Sequence, residues 1–271
     1  VSDPLLRGPA LLFCPADRPD RYAKAAARSD GVILDLEDAV APADKQAARA
    51  ALAAHPLDPE RTVVRVNGVR SGELEADLEA LAGTPYRTVV LAKTESAADV
   101  AALAGLAVVA LVETARGVLA ASEIAAADGV VGLMWGAEDL VASLGGSASR
   151  RPDGRYRDVA RHARSTVLLA AGAHGRIAID AVHTDLDDLD GLRAEAEDAA
   201  ASGFGATACL HPRQVPVVRD AYRPPASRVA WARRVLDAAA GQGVVAVDGE
   251  MIDEPLLAQA RAVLARASIE T

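Results

Sequence analysis

The sequence predicts an α/β chain folded as a (β/α)8 TIM barrel with a short C-terminal helical extension. Three observations carry this. Eight short runs rich in Val, Ile and Leu recur between residues 10 and 212. Each is almost continuously apolar, which marks a parallel strand covered on both faces rather than a half-exposed hairpin. Between them lie stretches with helical patterning, and strand–helix alternation builds a parallel sheet. Eight such units favour closure over an open, doubly wound sheet. No GxGxxG follows the first run, which weakens a dinucleotide-binding alternative.

The elements follow in order. ALLFCP (10–15) is the first strand, and DRPDRYAK (17–24) opens its helix with Pro19 in the first turn, where proline is accepted. GVILDLED (31–38) is the second strand, followed by the helical stretch PADKQAARAALAAH (42–55). TVVRVNG (62–68) and TVVLAK (88–93) are the third and fourth strands. SAADVAALAG (96–105) reads as the next helix. AVVALVET (107–114) and VVGLMWG (130–136) are strands five and six. GGSASRRPDGRYRD (145–158) is too polar and Gly-rich for a helix core and reads as an insertion. RIAIDAV (176–182) and ATACLHP (206–212) complete the eight. YRPP (222–225) reads as a linker. It separates a catalytic barrel, residues 1–222, from an extension, residues 223–271, that serves as a lid or a subunit-contact arm. The extension holds a helix over 226–240, the apolar piece VVAV (244–247) and a last helix from Pro255.

Composition bounds the function. The 271 residues are 51% hydrophobic but only 3% aromatic, so the core must be aliphatic. A net charge of −9 argues against a nucleic-acid surface, which needs clustered cations. Cys14 and Cys209 stand far apart, which does not support a disulfide framework and suits a reduced compartment. The N-terminus lacks a signal-peptide pattern. The longest apolar run, 101–112, is too short to span a bilayer. The expectation is a cytoplasmic protein with no membrane partner.

In such a barrel the active site lies at the carboxyl ends of the strands. Polar residues collect there: Asp17 and Arg18 after strand one, Asp35, Glu37 and Asp38 after strand two, Arg65 and Asn67 in strand three, Lys93 after strand four. Glu113 ends strand five, Glu138 and Asp139 follow strand six, Asp180 ends strand seven and His211 follows strand eight. Glu113 and Asp139 come from neighbouring strands and form the best metal pair; two carboxylates with room for water suit Mg²⁺ better than Zn²⁺. Helix capping or an ion pair with Arg65 or Lys93 explains the same residues. Arg65 is the best anion holder, with a salt bridge to the DLED carboxylates as its structural alternative. Arg18, Arg21 and Lys24 near a helix start suit phosphate, or form a solvated face. His211 reads as a hydrogen-bonded rim residue. The remaining histidines lack ligand spacing, and no GxSxG is present.

Several of these stretches, taken together, resemble one family. LFCPADRPDRYAKA, VILDLEDAVAPADK, VVRVNG, ALVETARG, GLMWGAEDLVASLGG, CLHPRQV and GEMIDEP, in this order, look like the citrate lyase beta-subunit-like branch of the HpcH/HpaI aldolase superfamily. The resemblance implies a Mg²⁺-dependent carbon–carbon lyase acting on a CoA thioester such as citryl-, malyl-, citramalyl- or hydroxymethylglutaryl-CoA, releasing a small oxo-acid. It matches Glu113 and Asp139 to metal ligands, and Glu37 and Asp38 to carboxylates near the metal's water shell. Arg65 matches the arginine on the reacting oxygen, and Arg18, Arg21 and Lys24 a CoA-binding region. Asp253 matches a catalytic acid contributed by a neighbouring subunit of a homotrimer or hexamer. LAKTES departs from the pattern, which often has proline before the lysine. A thioesterase, an aldolase on free oxo-acids, and an acyl-binding subunit of a citrate lyase complex are the competing readings.

Overall fold

The computed structural model describes residues 7–239, 244–247 and 249–268. The eight apolar runs form eight parallel strands: β1 (Ala10–Pro15), β2 (Gly31–Asp35), β3 (Thr62–Val66), β4 (Thr88–Leu91), β5 (Ala107–Val112), β6 (Val130–Trp135), β7 (Ile177–Asp180) and β8 (Ala206–Cys209). They pair in sequence order, and β1 closes onto β8. The result is a (β/α)8 barrel. Glu37, Lys93 and Glu113 stand just beyond strand ends, because the ladder stops where the apolar residues do.

The barrel is filled by aliphatic side chains. Leu11, Ile33, Val90, Val109, Leu111, Met134, Ile179 and Ala206 form one buried cluster, and Val63 of β3 packs against it. Each Leu, Ile, Val or Met among them contributes roughly 1.5–3 kcal/mol on burial. Helices run between the strands. In Asp158–Ala173, the buried Ala160, Ala163, Val167, Ala170 and Ala171 follow helical spacing on one face.

One local expectation changes. The helix read over 96–105 spans only Ala97–Ala101. The Ser96 side chain caps it by accepting from the Asp99 N–H at 3.3 Å, and Gly105, at φ +91°, turns the chain out of its other end. The insertion 145–158 folds back on itself through an antiparallel bridge between Arg150 and Tyr156.

The chain divides into two compact units, Val1–Val218 and Arg219–Thr271, the division lying within the helix Gln214–Tyr222. The second unit contains the helix Ala226–Ala238, a hairpin of β9 (Val245–Val247) and β10 (Glu250–Ile252), and the helix Glu254–Ala267. Ala232, Val235, Ile252, Leu257 and Ala260 make its own core. Among the described residues no helix is long and apolar enough to cross a membrane. Cys14 and Cys209 are both buried and carry thiols rather than a disulfide.

Candidate active site

Strand register places the charged side chains before any of them chooses a partner. Asp35 and Arg65 are the last pair of the β2–β3 ladder. Neighbouring strands lie roughly 4.8 Å apart, so the two side chains meet. Arg65 donates from Nε to Asp35 Oδ1 at 2.7 Å and from Nη2 to Oδ2 at 2.6 Å. Its Nη1 lies 3.1 Å from Glu37 Oε2, and its guanidinium sits over the Phe13 ring at 4.9 Å. Asp35 also accepts the backbone N–H groups of Glu37 at 2.9 Å and Ala39 at 3.1 Å. It thereby folds the chain after β2 into the turn that aims Glu37 and Asp38.

That turn is also tied from its other side. Lys45 donates to the carbonyls of Leu36 (2.7 Å) and Glu37 (3.1 Å) and to Asn67 Oδ1 (2.9 Å). Asn67 donates to the Leu36 carbonyl at 3.0 Å and to the buried Asp77 at 2.7 Å. Crowded carboxylates are costly unless paired; here the compensating cations are Arg65 and Lys93, while Lys45 ties down the backbone of the turn.

The β5–β6 ladder ends at Val112 and Trp135. The next residues, Glu113 and Gly136, are therefore adjacent. A Cβ on Gly136 would lie 2.7 Å from Glu113 Oε2 and 2.9 Å from Glu113 Cβ, so the glycine makes room for the carboxylate. Glu113 is 2% exposed, and its Oε1 accepts the Lys93 N–H at 3.0 Å. Burial, with Asp139 adding repulsion, raises its pKa to about 8, against the pull of Lys93 and Arg65. Asp139 stands in the first turn of the helix Ala137–Ser143, with Oδ1 3.5 Å from Lys93 Nζ. Lys93 Nζ also pairs with Glu37 and lies 3.3 Å from Asp38 Oδ2. Burial raises the Glu37 pKa against Arg65 and Lys93. Burial works against ionisation of Asp38 too, but Lys93, a hydrogen bond with Glu37 and Arg65 together outweigh it and the carboxyl is held below its ordinary range.

These groups surround a cavity of about 310 Å³. Arg65, Glu113, Asp139 and Asp38 line it, with Phe13, Leu111, Met134, Val182 and Leu210 as apolar wall. A larger cavity, about 630 Å³, opens among the residues that begin the strands. Its Arg61 is held by the carbonyls of Asp30 and Ser29 and its Glu60 by Arg7. No acids converge there, so chemistry selects the smaller cavity.

Other supports escaped sequence reasoning. Gln214, fully buried, accepts the N–H groups of Leu210 and His211 at 2.8 and 3.2 Å and donates to the His183 carbonyl at 2.9 Å. It clamps the turns that carry the cavity residues Val182 and Leu210. Trp135, also fully buried, donates to Asp180 at 2.6 Å, and Arg164 holds the same carboxylate at 2.8 Å. The GGSASRRPDGRYRD segment packs on this wall. Ser149 donates to Glu138 at 2.5 Å, and Tyr156 meets Trp135 edge-on at 5.2 Å.

The structure thus brings Arg65, Glu37, Asp38, Glu113 and Asp139 together. Arg18, Arg21 and Lys24 are exposed along the helix Pro19–Arg28, and Arg18 donates to Asp20 at 3.1 Å. Asp253 stands at the start of the helix Glu254–Ala267 without capping it through its side chain. His211 accepts the Arg213 N–H at 3.2 Å, a rim contact as expected.

Known proteins share this barrel. The HpcH/HpaI aldolase/citrate lyase family matches residues 10–107 and 104–212. The chain belongs to this family. It is 63% identical over 265 residues to a citrate lyase subunit beta-like protein of Mycobacterium tuberculosis, with 97% of each chain covered. It is 35% identical over 272 residues to a (3S)-malyl-CoA thioesterase of Cereibacter sphaeroides, covering 95% of this chain and 94% of that one. The M. tuberculosis CitE protein, solved in complex with magnesium, acetoacetate and coenzyme A, superposes with a TM-score of 0.92 at 63% identity. That match covers 97% of this chain and 100% of the other.

Within the family's barrel, the donor set at this cavity suits a hard divalent cation. Among the described residues no group of three or more His, Cys, Asp or Glu side chains is gathered for a metal. A closed, all-protein cage is therefore absent from these residues. Magnesium keeps several waters and takes one or two carboxylates, which is the number Glu113 and Asp139 offer. A buried acid with its pKa raised to about 8 beside a second acid is a site that a cation would relieve.

Proposed function

We propose that this chain is a Mg²⁺-dependent carbon–carbon lyase that cleaves a 3-hydroxyacyl-CoA into an acyl-CoA and a small oxo-acid. The observation that carries the reading is the convergence of Glu113, Asp139 and Arg65 on one cavity with an apolar wall. Relatives with this barrel were solved with magnesium and acetoacetate, oxaloacetate or pyruvate, ligands of the oxo-acid class.

Glu113 and Asp139 hold the metal in this proposal. Magnesium, when held there, supplies a Lewis acid and a template for oxygen ligands. The hydroxyl gives its proton to the Asp253 carboxylate, the C–C electron pair passes into a thioester enolate, and that carbon takes the proton back from Asp253. Arg65 stabilises the negative charge that gathers on the hydroxyl oxygen before it becomes a ketone. An arginine placed in that role contributes about 3 kcal/mol, by analogy with an oxyanion-hole donor. Its contacts with Asp35 and Glu37 use three of its five N–H donors, so two are left for substrate. Glu37 and Asp38 would accept hydrogen bonds from the metal's water shell. Asp253 moves the proton onto carbon, supplied by a neighbouring subunit of a homotrimer. Arg18, Arg21 and Lys24 meet the CoA phosphates.

A panel of 3-hydroxyacyl-CoA esters, incubated with and without Mg²⁺ and read by mass spectrometry, tests this. The expected products are acyl-CoA plus oxo-acid, formed only with metal, and lost in Glu113→Gln and Asp139→Asn. Full turnover in either variant refutes the metal assignment. The malyl-CoA thioesterase relative supports a second reading, Mg²⁺-dependent hydrolysis, which gives free CoA and an intact hydroxy acid instead.

A further inference from the structure

Lys93 touches the metal site with both of its ends. Its backbone N–H donates to Glu113 Oε1 at 3.0 Å. Its ammonium pairs with Glu37 and lies 3.3 Å from Asp38 and 3.5 Å from Asp139. One residue does both only because of its backbone. Among the described residues Lys93 alone, glycines aside, has a positive φ, +51°. A side-chain-bearing residue in that region costs energy and persists where its surroundings over-determine it.

The surroundings do so here. A Cβ on Gly68 would lie 2.9 Å from the Ala92 carbonyl oxygen, and one on Gly117 2.4 Å from the Thr94 carbonyl oxygen. The turn 92–94 is thus seated between two glycines that leave it room. Thr94 fastens its far side, its N–H donating to the Leu111 carbonyl at 3.0 Å and its hydroxyl to Leu91 at 2.8 Å. The turn therefore aims a cation at three carboxylates, those of Glu37, Asp38 and Asp139. The side chains of Lys93 and Asp139 are 38% and 37% exposed, so water reaches both and the ammonium has somewhere to go.

We infer that Lys93 is a placeholder cation: its ammonium neutralises the carboxylates of the metal-free site and is displaced from Asp139 when the divalent ion binds. This rests on the reading that Mg²⁺ binds Glu113 and Asp139. Lys93 is then a positioning residue. Its N–H keeps Glu113 oriented in both states, while its charge competes with the metal for Asp139.

Lys93→Met isolates the charge. Methionine keeps an unbranched chain of similar length, the backbone N–H and the same penalty at φ +51°. Two readouts avoid turnover. In calorimetric titration with MgCl2 alone, the variant binds Mg²⁺ about fivefold more tightly than wild type, because no resident cation has to leave; one partly exposed ion pair is worth about that factor. In chelator, the variant melts at a lower temperature than wild type, and Mg²⁺ raises its melting temperature by more. Unchanged or weaker Mg²⁺ binding by Lys93→Met overturns the placeholder role while leaving the metal site intact. Absence of binding by the wild type overturns the metal reading itself, and the inference with it.

Discussion

At Gly136 a single methyl group decides whether Glu113 can stand where it does. The glycine has an ordinary φ of −125°, so its reason is space, not conformation. An alanine there would place Cβ 2.7 Å from Glu113 Oε2 and 2.9 Å from Glu113 Cβ. The carboxylate end can swing away, but the Cβ is anchored to β5. Gly136→Ala is therefore expected to cost about 1–3 kcal/mol of stability, the usual range for overpacking, and to weaken Mg²⁺ binding at least as strongly as it lowers the melting temperature. A folded variant with unaltered metal affinity would show that Glu113 is not a ligand. The rim positions of Glu113, Asp139 and Arg65 were legible in the sequence because polar residues at the ends of apolar runs must reach the barrel rim. Gly136 was not, since its role depends on the register between β5 and β6, which places it against Glu113. Asp35 was legible as one of the crowded carboxylates, but only the Asp35–Arg65 pairing shows that it orients the arginine.

Among elements, the strands were the most readable, because a continuous apolar run has few other uses. The helix after β4 was read too long, as Ala102 to Gly105 continue the composition, and Leu103 the burial, but Gly105 at φ +91° does not continue the helical backbone. The insertion 145–158 was readable as irregular and no further, since the residues that hold it come from elsewhere. Arg150 pairs with Glu195 of the helix Leu189–Ser202, and its guanidinium stacks on Tyr156 at 3.9 Å. Glu195 also receives a hydrogen bond from His183 at 2.8 Å. Burial alone would raise the Glu195 pKa; the bonds from His183 and Arg150 outweigh it and hold the carboxyl below its ordinary range. The folded state therefore binds this proton less readily than the unfolded chain. The stability Glu195 provides is fully present above the ordinary glutamate range and is lost as pH falls through the lowered folded value. Glu195→Gln should be less stable than wild type near neutral pH, and the gap should close on acidification below about pH 4. Thermal melts across that range check it. A gap that stays constant with pH would mean that the carboxylate's charge does not tether the insertion.

For the whole molecule, the unit Arg219–Thr271 is the one that carries Asp253. It has a core of its own, including Ile252 directly before Asp253. Asp253 carries no motif that spacing alone would single out; only the resemblance of GEMID to the family placed it among the catalytic residues. A proton donor contributed by a neighbouring chain makes a demand that no single-chain property makes: two inactive proteins must repair each other. Arg65→Ala lacks the charge-stabilising guanidinium but retains Asp253, and Asp253→Ala has the converse defect. In a cyclic oligomer mixed one to one, a competent site needs an Asp253→Ala chain beside an Arg65→Ala chain in the right order. Random assembly supplies that at roughly a quarter of the sites. After subunit exchange, proven by mass spectrometry of differently tagged chains, the mixture should recover about that fraction of wild-type turnover. If Asp253 serves the barrel of its own chain, every site keeps one defect whatever its neighbours, and exchange restores nothing. If Asp253 has no catalytic part, Asp253→Ala is already active before mixing. The three outcomes are separate, so one experiment reads both the role of Asp253 and the number of chains that build a site.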